Sequence, residues 1–412
     1  MASSTRQFAS AVEKARKVLV FAPMPSGGLA EHAYYQARAL DKLGLGVICL
    51  ASKQFLPWRE SNFVLRRSLF NMPSSKLPKW VRRPRQLFAL LANQYLLAWN
   101  VVARRPDFIL LDAYCEYLSP LWVWPHWMLR ILFGVRYVAN LHDPVRKRFV
   151  GPAWWHNLSC RLAYRPLRLA LVHGAVKPEA RIPSWVQTVE VPVGVYEIRP
   201  SAVSRSEIRK RWGVQDGQKV FLSFGYVRDG KNLDLAIRAL AEVTSAFLVI
   251  TGSMASGLER PFAFYRKLAN DLGVTGRCFL EEGFVPDDEL GGIFDGADYV
   301  LLTYSASFHS QSGVLNIAAR ARKPVLASAA PGPLVEAVRQ FRLGVVIEPD
   351  SAAAVAQGME ELIASNLLPG WADYEEFAGW DTNARRLLEA LEVLSNRPST
   401  SSIPAISRDK AV

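Results

Sequence analysis

The sequence predicts an α/β protein made of two doubly wound parallel sheets. Three observations carry that reading. Short apolar runs alternate with segments of helical period along nearly the whole chain. Loops rich in glycine or charge follow the first run of each half, PMPSGG at 23–28 and GYVRDGKN at 225–232. The chain has 412 residues, half of them hydrophobic, which is enough for two domains of ordinary size.

In order, KVLVFAP (17–23) reads as a strand, Leu29–Leu43 as a helix and Val47–Ala51 as a strand, which makes a first βαβ unit. Residues 53–105 read as irregular and then helical. Further strands are expected at 107–112, 135–141 and 169–173, and Pro192–Gly194 closes this half. A linker is expected near 193–203, then a helix at Ser204–Trp212. The second half reads as strands at 220–224, 247–252, 278–281, 299–303, 325–327 and 344–347. Helices are expected between them at 233–243, 262–272, 286–294 and 333–339, with another opened by Ser312–Gly313. The expected domains are 1–197 and 198–380, with a closing helix at 381–396. The Ser/Pro-rich tail 397–412 has little to bury and is expected to be disordered.

The four cysteines are scattered without CxxC spacing, which suggests neither a zinc site nor a disulfide framework and fits a reducing compartment. Charges at Glu13–Lys17 before a strand-length apolar run argue against a signal peptide. The longest uncharged apolar stretch, Leu87–Ala103, is broken by Asn93, Gln94 and Asn100 and reads as a buried or interfacial helix rather than a membrane span. A cytoplasmic protein, peripheral on the inner face of the cell membrane, is the expectation.

The net charge of +13 is uneven. Residues 53–105 hold eleven Lys/Arg against Glu60, and residues 130–170 hold eight against Asp143. Such a field attracts nucleic acid or an anionic membrane. The interleaved Trp58, Phe63, Leu69, Phe70, Trp80, Leu87 and Phe88 favour the membrane, and the basic region contains no nucleic-acid module.

The chemistry is expected at strand ends. Gly225, Arg228 and Lys231 flank a turn after a strand, where an arginine fork and a lysine charge clamp a diphosphate. Ser312–Gly313 opens a helix whose free N–H groups favour the same anion. Gly27 and Gly28 let backbone approach a ligand, but GxGxxG is absent and no acid ends the second strand, so an NAD-dependent dehydrogenase is not indicated. His142, directly after VRYVANL, faces the crevice at a strand's carboxyl end; His173 is a weaker candidate of the same kind. His309 lies beside the Ser-Gly loop. Asp287-Asp288 reads as a helix N-cap rather than a metal pair. HExxH, GxSxG and P-loop motifs are absent.

The motif order resembles a GT-B glycosyltransferase of the retaining family 4 type over about residues 17–395. The resemblance rests on FAPMPSGGLAEHAYYQARAL, LHD, FGYVRDGKNLDLAIRAL, GFVPDDELGGIFDGADYVLLTY and SGVLNIAARARKPVLASAAPGPLVEAV. It implies two Rossmann-like domains facing a cleft, with Arg228 and Lys231 as the diphosphate pair and His142 as a catalytic group. Gly27, Gly28, Gly225, His309, Gln311, Ser312, Gly313 and Asn316 would lie on the donor. The family's two glutamates, with seven residues between them, are replaced here by Phe308 and Asn316, and Asn316 would hydrogen-bond a nucleotide ribose. The implied reaction is retaining, metal-independent sugar transfer from a nucleotide diphosphate-sugar, a substrate rather than a cofactor, to a glycan or lipid-linked acceptor in surface polysaccharide or glycolipid synthesis. A nucleotide-sugar epimerase or a non-catalytic carbohydrate- or lipid-binding homologue on the same scaffold are the rival readings.

Overall fold

The computed structural model describes residues 16–57, 59–73, 77–142, 151–174, 176, 178–255 and 259–396. Trp58, Asp143 and the tail from 397 onward, on which expectations were placed, lie outside them.

The first sheet contains β1 (Lys17–Ala22), β2 (Gly46–Ser52), β3 (Val64–Leu69), β4 (Phe108–Leu111), β5 (Arg136–Leu141), β6 (Leu167–Val172) and β7 (Gln187–Glu190). Its order is β3-β2-β1-β4-β5-β6-β7, and every pairing is parallel. The second contains β8 (Lys219–Phe224), β9 (Ala246–Gly252), β10 (Cys278–Glu282), β11 (Tyr299–Thr303), β12 (Val325–Ser328) and β13 (Gly344–Val346). Its order is β10-β9-β8-β11-β12-β13, again parallel. Both are doubly wound, with order reversing beside the first strand of each half, where such sheets bind ligands.

The helices of the first half are α1 (Gly28–Lys42), α2 (Lys79–Arg104), α3 (Val123–Phe133) and α4 (Ala153–Ala163). The second half adds α5 (Arg205–Trp212), α6 (Leu233–Glu242), α7 (Phe262–Asp271), α8 (Asp287–Gly296), α9 (Gly313–Arg320), α10 (Pro333–Gln340), α11 (Ala352–Ala364) and α12 (Trp371–Phe377). The last helix, α13 (Trp380–Asn396), crosses back and packs on α1, β6 and β7. Ala384, Leu387 and Leu391 enter the first domain's core there.

Central strands are apolar on both faces, as FILL in β4 and AFLVITG in β9 show. Ser204 and Glu207 form a reciprocal capping box at the start of α5. At Gly252 (φ +151°) a Cβ would lie 1.9 Å from the Gly225 carbonyl, so only glycine lets β9 end against the turn after β8.

Several expectations needed correction. β3 falls inside the stretch read as irregular, because VLRRSL is an edge strand with four exposed positions and shows no apolar run. Phe63 and Leu69, read as part of a membrane-facing set, are buried in the core, whereas Trp80, Leu87 and Phe88 are exposed. Pro286 is the N-cap of α8, and Asp287 and Asp288 occupy its first turn instead.

Candidate active site

β8 delivers the chain to Gly225, whose φ of +91° turns it sharply. Arg228 then caps a single 3-10 turn, Asp229–Lys231. Lys231 is 8% exposed, and its Nζ donates to the Phe224 carbonyl at 2.5 Å. The end of β11 holds the turn from the other side: Thr303 Oγ1 donates to the Lys231 carbonyl (3.0 Å), and the Ser305 N–H donates to that of Gly230 (3.0 Å). Burial, helped by the neighbouring Arg228 charge, lowers the Lys231 ammonium to about 7.

The Arg228 guanidinium stands 5.6 Å and 5.5 Å from the ring centres of Tyr304 and Phe308, which stack on one another at 4.0 Å. Tyr304 in turn shares a 2.9 Å hydrogen bond with Ser312 Oγ. Ser312 therefore spends its hydroxyl on Tyr304 and gives no side-chain cap to α9. The cations and the helix start lie at the carboxyl edge of one sheet, as the sequence led one to expect. His309 is exposed beside them, its carbonyl close to Gly332 after β12.

Gln311 and Asn316 stand apart from this cluster. The Val193 N–H donates to Gln311 Oε1 (2.7 Å), and Asn316 Nδ2 donates to the Val193 carbonyl (3.0 Å). Tyr374 OH donates to Asn316 Oδ1 at 2.5 Å. Asn316 is 2% exposed and both ends of its amide are engaged, so in place of the expected ribose contact it ties the inter-sheet linker to the second domain.

Across from this edge, Gly27 (φ +80°) and Gly28 open α1 at the carboxyl end of β1. They line a cavity of about 180 Å³ with Glu31, Tyr196, Phe284 and Asp287, so the two carboxyl edges face each other. Glu31 is held by Arg59 at 3.1 Å, yet burial raises its carboxyl above the ordinary value.

Four groups the sequence scatters meet on the first domain's edge. His32 Nδ1 lies 2.6 Å from Asp112 Oδ1, both groups being buried. His142 Nε2 is 3.1 Å from the Asp112 carbonyl, and His142 Nδ1 is 3.1 Å from His173 Nε2. His173 Nδ1 faces the Val191 carbonyl at 3.0 Å. Burial alone would raise the Asp112 carboxyl, but the hydrogen-bonded His32 and the nearby His142 hold it at about 2. One nitrogen from each of the three imidazoles lies within 4.8 Å of the others, near enough for metal binding by distance. Most of those nitrogens already serve protein partners, and of the three rings only His32 Nε2 is without one among the described residues. Sequence reading found His142 and His173 as strand-end histidines but missed His32, which lies inside α1, and Asp112, read as a strand residue.

Comparison with known proteins fits this geometry. The profile of the family described as glycosyl transferases group 1 matches residues 204–386. Two D-inositol 3-phosphate glycosyltransferases, from Salinispora arenicola and Streptomyces scabiei, are each 29% identical over 229 and 222 residues. Each match covers 50% of this chain, and the chain spans about half the length of these relatives (49% and 48%). Anabaena HepE in complex with UDP and glucose superposes with a TM-score of 0.66 at 16% identity, covering 92% of this chain and 100% of that one. Sucrose-phosphate synthase from Thermosynechococcus elongatus gives 0.63 at 14%, covering 92% and 99%. At such identities the structures speak for the fold alone, and that fold is GT-B. The profile match then places the second domain among the group 1 glycosyl transferases.

Proposed function

We propose that the chain transfers a sugar from a nucleotide diphosphate-sugar to a glycan or lipid-linked acceptor, with retention and without a metal. The observation that carries this is the buried Lys231 with Arg228 beside it, at the same sheet edge as the α9 N-terminus. Cations and free N–H groups fixed before the ligand arrives stabilise charge where it develops on a departing diphosphate. The group 1 profile over this domain and the UDP-containing neighbour support a nucleotide-linked donor. A panel of nucleotide sugars, read by nucleotide release with and without acceptor, tests the reading. Turnover of none of them, with no donor bound by calorimetry, would favour a binding protein; conversion of the donor sugar without any acceptor would favour an epimerase.

The acceptor side of the proposal is an anionic membrane surface. α2 is turned inside out for a water-facing helix: Asn93 and Gln94 are buried, while Trp80, Phe88, Tyr95 and Trp99 are 52–79% exposed. Asn93 faces inward because its amide makes two hydrogen bonds to the Phe70 backbone. α3, packed beside α2, adds exposed Trp124, Met128, Ile131 and Leu132. Exposed Lys79, Arg83 and Arg85 supply charge complementary to anionic headgroups. Among the described residues no helix is long and apolar enough to cross a membrane.

A further inference from the structure

The contacts around His142 and His173 impose a proton count. His173 Nδ1 faces the Val191 carbonyl, and His142 Nε2 faces the Asp112 carbonyl. A carbonyl offers only lone pairs, so each of these nitrogens must carry a hydrogen. The two remaining nitrogens, His173 Nε2 and His142 Nδ1, lie 3.1 Å apart. In two neutral rings both would then be bare lone pairs pressed together. Three contacts need three protons, and two neutral imidazoles supply only two.

We propose that the pair holds the third proton, so that His142 stands at the cleft edge as an imidazolium donating through Nδ1 to a neutral His173. The charge falls on His142 for geometric reasons. Its side chain is 25% exposed, and Asp112 Oδ1 lies 3.7 Å from its Nε2, whereas His173 is buried against Val191. Burial, together with the neighbouring His142 and His32, holds His173 well below the ordinary histidine value, which suits it as the acceptor. The titratable groups facing the pair are His32 from α1 and Asp112 after β4; from α13, Trp380 brings an uncharged indole against His32. The ionised Asp112 carboxylate balances the added charge.

His173 is then a positioning residue: it touches no substrate but sets the charge that His142 presents on the first domain's edge. The proton count does not depend on the sugar-transfer reading, so the two can fail separately.

The decisive measurement is long-range proton–nitrogen NMR of the full chain with labelled histidine rings at neutral pH. Both nitrogens of His142 should be protonated, and His173 should be protonated at Nδ1 only. Two protonated nitrogens across the pair would overturn the proposal. So would one tightly held metal ion per chain that chelation removes together with the His142–His173 contact. In a folded His173→Phe variant, His142 should become neutral at the same pH, and the basic limb of kcat/KM should move toward acid. His173→Gln, whose Oε1 can stand where the ring's Nε2 was and accept from His142 Nδ1, should restore both. An unmoved limb in folded His173→Phe counts against the idea, and if that variant does not fold, the spectrum of the unaltered chain still decides.

Discussion

The two sheets share a strand order, yet their carboxyl edges carry different chemistry. The second sheet's edge is built locally, since Gly225, Arg228 and Lys231 lie within seven residues and are braced by the loop after β11. The first sheet's edge is assembled from afar, with His32, Asp112, His142 and His173 brought together from one helix and three adjacent strand ends. The outer faces differ as well, aromatic and basic on α2 and α3 of the first domain. Topology supplies the place for a site, and the side chains at the strand ends supply its chemistry.

The sharpest way to break this comparison is to strip the second edge. Lys231→Ala or Arg228→Ala should reduce nucleotide release by about 10²–10³-fold while circular dichroism stays unchanged, the usual loss for a preorganised charge-stabilising donor. Full turnover by both variants would move the diphosphate elsewhere.

Next in size is the junction. Asn316→Ala leaves the Val193 carbonyl and Tyr374 hydroxyl without partners, and should cost about 1–3 kcal/mol in urea unfolding. Asn316→Glu, which restores the family's acid, should also destabilise, because a carboxylate cannot donate to the Val193 carbonyl. A stable Asn316→Glu variant with higher turnover would return this position to the donor site.

A third prediction concerns pH. Lys231 in the empty protein sits at about 7, and a bound diphosphate would keep it charged. Above pH 7, donor binding must take up a proton, so affinity should fall by up to about tenfold per pH unit. Calorimetry in buffers of different ionisation heat should register that uptake. The folded value lies below the unfolded one of about 10.4, so the unfolded chain binds more protons in this window. On this group's account, stability of the empty protein therefore rises from pH 7 to about 10. Donor affinity independent of pH would remove Lys231 from the diphosphate.

The smallest expected effect is on the outer face. Arg83→Glu or Arg85→Glu should each weaken binding to anionic vesicles by about 1 kcal/mol or somewhat more, and added salt should weaken it for the unaltered chain. Equal binding to neutral vesicles would end the membrane assignment.

The same contrast explains what could be read without coordinates. Central strands such as β4, β9 and β11 were legible because strands covered on both faces are continuous apolar runs. β3 and β7, VLRRSL and QTVE, were not, since edge strands alternate or are polar. Arg228 and Lys231 were legible because their turn is contiguous. The link from His173 to His142 depends on β6 lying beside β5, and Asp112 joins only because β4 flanks β5 on its other side, which no local spacing encodes. Asn316 was placed on the donor from its motif position, and its actual partners, Val193 and Tyr374, are 123 and 58 residues away.

One feature of the fold bears on how the chain is made. The first sheet adds its last strand by Glu190, but its core is completed only by Ala384, Leu387 and Leu391 from α13. Emerging from the ribosome, that half must wait with an uncovered apolar groove while the whole second sheet is synthesised. The pause gives chaperones a window of nearly two hundred residues in which to act. It also means that a nick between α12 and α13 would loosen the distant first domain before the one it cuts.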